Sequence, residues 1–262
     1  MLFPKKLKLI SPDVNFFVKK IQDKEYFSFA KINHAFWEAL LNRHDEFKRI
    51  TTLHSVEFIN EIEEMVKSWP LDDSLMLGLG SKGYASSDDD PHDSKEIIVK
   101  ILKTIPRIKT YDALVWKSYC LNNQIEKFFR SIRSKVVVYG LSHLKNINDQ
   151  LKFINFEFRE VGLDATAKKD EIIKDLESNH KEETVYCFQM GEMLSTWVIR
   201  KLHGLPESYF IDFGRSLDFF VKDISFSESD LEIYKKMSNG DSPYNHFPNI
   251  KNQLWLTAHQ PM

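Results

Sequence analysis

Four short stretches of this chain carry side chains that could handle a phosphate or a sugar, and each lies where an apolar run gives way to an amphipathic one. They are Lys31-Ile32-Asn33-His34 with Glu38 close behind, Gly140-Leu141-Ser142-His143, Met190-Gly191-Glu192, and Gly214-Arg215-Ser216-Leu217-Asp218. A glycine at such a junction lets backbone N–H groups approach an anion, and the dipole of a following helix adds attraction. The same glycine also suits any tight turn. Arg215 offers a guanidinium that can grip a diphosphate bidentately, or can close a salt bridge with Asp218 or Asp212. Asp212 lies inside the apolar run YFIDF, so its carboxylate must be paired or face a crevice. There it can accept hydrogen bonds from a sugar hydroxyl or from N–H groups of the neighbouring turn. His34 and Glu38, four apart on one helical face, could share a proton or a metal, although a helix start favours Glu38 in any case.

Other patterns carry less. Gly78, Gly80 and Gly83 have the spacing G-x-G-x-x-G of a dinucleotide-binding turn, but the residues that follow, YASSDDDP, have no helical period. The fingerprint needs a helix to open inside the turn, and successive aspartates would repel a phosphate there. The aspartates from Asp88 to Asp90 include a D-x-D spacing able to hold a hard divalent ion, yet they lie in a Ser-rich stretch that reads as a solvated acidic loop. The run KFFRSIRSK, Lys127 to Lys135, carries four basic residues and fits the solvated face of a helix better than a nucleic-acid contact. G-x-S-x-G, G-K-[ST] and H-E-x-x-H do not occur, so nothing marks a serine hydrolase, a P-loop NTPase or a zincin.

The elements that would position these residues alternate along the chain. Strands are expected over Tyr26 to Ile32, Leu75 to Leu79, Lys135 to Tyr139, Phe153 to Val161, Thr184 to Gln189 and Ser208 to Phe213. Helices are expected over Asp13 to Gln22, His34 to Arg49, Ser55 to Ser68, Ser94 to Lys103, Asn123 to Ser134, Ser142 to Gln150, Lys168 to Glu177 and Gly191 to His203, the last closed by Gly204 and Pro206. This rhythm predicts an α/β, Rossmann-like protein with a mostly parallel sheet flanked by helices. Ligands of such sheets bind beyond the carboxyl ends of the strands, where the four stretches fall. One domain is expected over 1–222, with 223–262 a C-terminal extension packing on it.

Bulk properties narrow the function. The 262 residues are 42% apolar and 13% aromatic, enough for a substantial core. The formal charge of −2 leaves no overall basic field for general nucleic-acid affinity. Cys120 and Cys187 lie in apolar runs without a C-x-x-C partner, which fits reduced thiols and a cytoplasmic setting. No window approaches the roughly 20 apolar residues of a membrane span.

The order of these segments resembles a known family. YFSFAKINHAFWEAL resembles the opening F-S-x-x-R-[FY]-G-D-G-E-[WF] run of GT-D type glycosyltransferases, and VVVYGLSHL, YCFQMGEMLSTWVIRKL and YFIDFGRSLDFF resemble the V-V-V-x-G strand, the glycine-led helix and the I-D-[IFL]-G-x-x-L-D segment of its second half. The resemblance implies a Rossmann-like fold that transfers a sugar from a nucleotide-diphosphate donor, with a D-x-E pair holding a divalent cation, manganese or magnesium, on the diphosphate. Here Lys31 stands at the arginine position, Asn33 at the first glycine, and His34-Ala35-Phe36 at D-G-E, so both carboxylates are missing. His34 with Glu38, or Asp88 with Asp90, could supply a metal site. More economically, Lys31 and Arg215 could neutralise the leaving diphosphate without one.

The expected protein is a glycosyltransferase acting on a glycan or other hydroxyl acceptor. Its nucleotide-sugar-binding residues are Lys31, Asn33, Gly140, Ser142, His143, Met190, Gly191, Gly214, Arg215 and Ser216, and its catalytic candidates are His34, Glu38 and Asp212. The alternatives are a non-catalytic nucleotide-sugar-binding or assembly protein of the same fold and, through Gly78 to Gly83, a methyltransferase using S-adenosylmethionine. A homo-oligomer is left open.

Overall fold

The apolar runs form strands. In the computed structural model, residues 9–32, 56–70, 72–79, 109–147, 151, 154, 156–162, 164–191 and 193–221 are described. Among these, seven strands make one sheet: β1 Ser28–Ile32, β2 Leu75–Leu79, β3 Thr110–Asp112, β4 Val136–Gly140, β5 Phe156–Glu160, β6 Val185–Gln189 and β7 Tyr209–Asp212. Their order is β3-β2-β1-β7-β6-β4-β5, and every pairing is parallel. Each residue of β1, β2, β4, β6 and β7 is buried, which is why these strands read as continuous apolar runs rather than alternating ones. Edge strand β5, FEFRE, carries charge on its half-buried positions, a common guard against edge pairing.

Helices cover both faces. On one, α2 Val56–Lys67, α5 Lys169–Ser178 and α6 Leu194–Leu202 share a core with Ala30, Leu77, Val137, Phe188 and Phe210. On the other, α1 Val14–Gln22, α3 Val115–Leu121 and α4 Ile125–Ser131 pack on Phe29, Met76, Val138, Cys187 and Ile211. Asp13 caps α1 by accepting the Phe16 N–H at 3.2 Å, as its position before an amphipathic run predicts. Trp116 of α3 centres the second core, with ring centroids 4.5 Å from Phe17, 4.9 Å from Phe128 and 5.0 Å from Phe213.

Several local expectations are corrected. The helix expected from Ser142 does not start as an α-helix: Ser142–Asn146 forms a 3-10 turn, tightened by the Leu144 N–H on the Leu141 carbonyl at 2.9 Å. The helix expected to open at Gly191 opens at Leu194 with Met193 as its N-cap, and Gly191 itself has φ +99°, outside the helical region. Gly204 does not close that helix in a left-handed conformation; His203 is the C-cap, and the left-handed residue is Glu207. β3 and α3 were not expected. Three residues are too few to show a period, and β3 is held by the flanking Ile10, which exchanges backbone bonds of 2.9 Å with Thr110 and Asp112.

Gly78 lies within β2, where a Cβ would stand 3.0 Å from the Ala113 backbone and 3.1 Å from the Phe29 ring. Close packing explains that glycine. Gly80 and Gly83, the expected helices His34 to Arg49 and Ser94 to Lys103, Asp88 and Asp90, and the extension 223–262 lie outside the described residues. No helix among the described residues is long and apolar enough to cross a membrane.

Candidate active site

Because all strands are parallel, their carboxyl ends share one rim. The chain leaves β4 outward to β5 but leaves β6 the other way to β7, and β4 and β6 are neighbours. Connections that diverge from adjacent strand ends open a crevice between them, the usual ligand position in open α/β sheets. Gly140 and Gln189 are register partners at this point, and Phe188 pairs with Asp212 on the next strand. The turns at 140, 191 and 214 therefore follow three successive strands, spaced about 4.8 Å apart.

Asp218 organises the crevice. It is 2% exposed. Its Oδ1 accepts from the Gln189 amide and from His143 Nε2 at 3.0 Å, while Oδ2 accepts from Arg215 Nε at 2.9 Å. Gln189 Oε1 in turn accepts the Leu217 N–H at 3.2 Å and fixes the 3-10 turn Ser216–Phe220. Of the readings of Arg215, the salt bridge with Asp218 is the one present, and its side chain remains half exposed at the rim. Gln189 was not anticipated. Its only signal was a polar residue ending the apolar run VYCFQ. Asp218 was anticipated only as a partner for Arg215, since three donors from three separate chain segments are visible only after folding.

A second group lies at the ends of β1 and β7. Lys31 and Asp212, 5% and 2% exposed, approach to 3.8 Å between Nζ and Oδ1, and the same oxygen accepts the Gly214 N–H at 2.7 Å. Burial pushes the Asp212 carboxyl up to about 6, against the opposing pull of the Lys31 ammonium and the Gly214 N–H. Gly214 has φ +52°, and a Cβ there would stand 2.3 Å from Lys31 Nζ. This glycine is required twice, by its backbone and by the ammonium pressed against it. Thr196 of α6 donates to the Lys31 carbonyl and ties the helix to the strand end.

The remaining candidates are placed as follows. Met190 is buried, and its N–H donates to Ser195 Oγ at 3.3 Å, so that donor is already used. Gly191 has nothing within 4 Å of a hypothetical Cβ, and its positive φ alone accounts for it. Gly140 accommodates Leu144, whose Cδ1 would lie 2.5 Å from a Cβ. Ser142 and His143 are exposed on the 3-10 turn. Ser216 is buried, and its Oγ has no hydrogen-bond partner among the described residues. Asn33, His34 and Glu38 lie outside the described residues.

No group of three His, Cys, Asp or Glu that could hold a metal occurs among the described residues. The D-x-E positions of the resemblance hold His34 and Phe36, which supply no carboxylate pair. A cavity of about 250 Å³ does occur elsewhere, near the amino ends of β4 and β6, lined by Lys135, Tyr139, Glu157, Arg159, Lys181 and Tyr186. Two of its cations are paired with Glu157, and none of the rim residues lines it. The converging polar groups at the strand ends mark the chemistry better than that hollow does.

The sheet order, the helical layers and the strand-end crevice make a Rossmann-like α/β fold. Solved structures make the likeness particular. A glycosyltransferase of domain of unknown function 1792 from Streptococcus sanguinis is 13% identical, with a TM-score of 0.59 over 92% of this chain and 98% of that one. A structure of the same domain, described as having a distinct glycosyltransferase fold, is 12% identical with a TM-score of 0.54 over 88% of this chain and 95% of that one. A selenomethionine form of domain 1792 has a TM-score of 0.55 at 12% identity, with the same coverage. No family model matches the chain, and no curated protein does. The shared property is the fold, which agrees with the resemblance carried by the sequence segments.

Proposed function

We propose that the protein is a glycosyltransferase that moves a sugar from a nucleotide-diphosphate donor to a hydroxyl acceptor, glycan or other, in the cytoplasm. The observation that carries this reading is Arg215, half exposed at the carboxyl rim and anchored through Nε to buried Asp218, beside the diverging ends of β4 and β6. A guanidinium held through Nε by a buried carboxylate keeps its place at the rim when charge develops on a leaving diphosphate. Ser142 and His143 flank the same crevice and suit contacts to the nucleoside and sugar, while Gly191 and Gly214 bring backbone close to the phosphates. Lys31, deep behind Gly214, adds positive potential at the same rim. His34 and Glu38 remain catalytic candidates, while Asp212, as enclosed as Asp218, acts through Lys31 and the Gly214 turn rather than on the substrate.

Calorimetry with UDP, GDP and their sugars, with and without manganese, tests the reading. Micromolar binding abolished by Arg215→Ala is the expected result, and no heat with any of them overturns it. A second reading, a non-catalytic nucleotide-sugar-binding or assembly protein of the same fold, draws on the replacement of both D-x-E carboxylates by His34 and Phe36. It predicts binding without donor hydrolysis.

A further inference from the structure

The least expected arrangement at the rim is a histidine held by a buried carboxylate that also holds the arginine. As a carboxylate, Asp218 can only accept from its three donors, so in the neutral imidazole of His143 the proton lies on Nε2 and Nδ1 carries the lone pair. Nδ1 has no hydrogen-bond partner among the described residues, and the side chain is 34% exposed. Asp218 itself is too enclosed and too fully engaged to meet a substrate. Its two oxygens set the imidazole on one side and the guanidinium on the other, within the span of a single carboxylate. A transfer that inverts the anomeric carbon needs this separation, because its acceptor hydroxyl attacks from the side away from the departing diphosphate.

Resting on the function proposed above, we propose that His143 is the catalytic general base of the transfer and that Asp218 is its positioning residue, with Gln189 bracing Asp218 from behind. His143 Nδ1 takes the proton from the acceptor hydroxyl as the acceptor oxygen bonds to the anomeric carbon. The bond from that carbon to the phosphate oxygen breaks, and its electron pair leaves with the nucleoside diphosphate, whose charge Arg215 meets. The imidazolium then returns its proton to water. A carboxylate on one ring nitrogen fixes the tautomer and ring direction, so the other nitrogen arrives ready to accept a proton.

The test uses the full chain, with UDP binding followed by calorimetry and hydrolysis of UDP-glucose, UDP-galactose, UDP-N-acetylglucosamine and GDP-mannose followed by release of the nucleotide. At saturating donor, His143→Ala should lose about 100-fold or more in kcat, beyond any loss in UDP affinity, and regain turnover with added imidazole. Nitrogen-15 NMR of the parent should show His143 protonated at Nε2 with Nδ1 bare, and Asp218→Asn should scramble that tautomer. If UDP binds and His143→Ala turns over within threefold of the parent, the base assignment fails while donor binding stands. The base assignment also fails if UDP binds but the parent hydrolyses none of the four donors, or if the parent's His143 carries its proton on Nδ1. If no nucleotide binds, the transferase reading fails and takes the base assignment with it.

Discussion

Replacing Gly214 by alanine tests the link between the β7 turn and the buried Lys31–Asp212 pair. Two costs are separable. An L-residue at φ +52° costs about 1–2 kcal/mol from backbone strain alone. The added Cβ would also meet Lys31 Nζ at 2.3 Å and Cε at 3.3 Å, so the ammonium must leave its place beside Asp212. Breaking a buried pair in this way costs about 3–5 kcal/mol, because a carboxylate only 2% exposed to water loses its cation. The sum predicts a destabilisation of about 4–7 kcal/mol for Gly214→Ala in the parent. In a Lys31→Ala background, where no ammonium stands in the way, the same substitution should cost only the strain, about 1–2 kcal/mol. Urea unfolding of the four proteins of this cycle, followed by circular dichroism, reads the difference as a coupling energy. An equal cost of Gly214→Ala in both backgrounds would refute the argument, since the glycine would then be needed only for its backbone.

Three further outcomes follow from buried and paired groups. The Asp72 carboxyl is held down to about 2 by hydrogen bonds from His203 and from the Ser74 side chain and N–H. Its folded pKa lies below the unfolded value of 3.8, so its stabilisation is present above about 4 and is lost as pH falls through about 2. Asp72→Asn should flatten acid unfolding in that window; an unchanged curve would contradict the pairing. Asp212 has the opposite sign: with its folded pKa raised from 3.8 to about 6, its stabilisation is present below about 4 and lost as pH rises through 6. Asp212→Asn should remove that decline from the thermal-unfolding profile. Trp116 is fully buried among aromatic rings, and its indole N–H has no hydrogen-bond partner among the described residues. Trp116→Phe should therefore cost less than about 1.5 kcal/mol and Trp116→Ala about 3–5 kcal/mol in urea unfolding, and a costly phenylalanine would mean the N–H has a partner after all.

Local pattern was enough to find most of the strands and helices, because burial on both faces leaves its mark in residues that are neighbours in sequence. VVVYG, VYCFQ and YFID could hardly be anything but central strands, and the alternation with amphipathic segments implied their parallel pairing. It also named the turns at 140, 191 and 214, since ligand sites in such sheets follow strand ends. It misjudged the short pieces: TYD is a strand only because Ile10 and Leu77 to Leu79 flank it, and Ser142–Asn146 tightens into a 3-10 turn.

The division between sequence and tertiary structure lies in the range of the forces. Strand and helix identity arises from the periodicity of neighbouring residues, so the chain written out in order determined that this is an α/β protein with polar turns at its strand ends. Strand order is a different matter: it brings residue 140 beside 189, and 31 beside 212, by packing between segments far apart in sequence. Only that packing made Asp218 the common acceptor of His143, Gln189 and Arg215 and pressed Lys31 beneath Gly214. Hydrogen bonds and ion pairs act over a few ångströms in space, however many residues separate their partners along the chain.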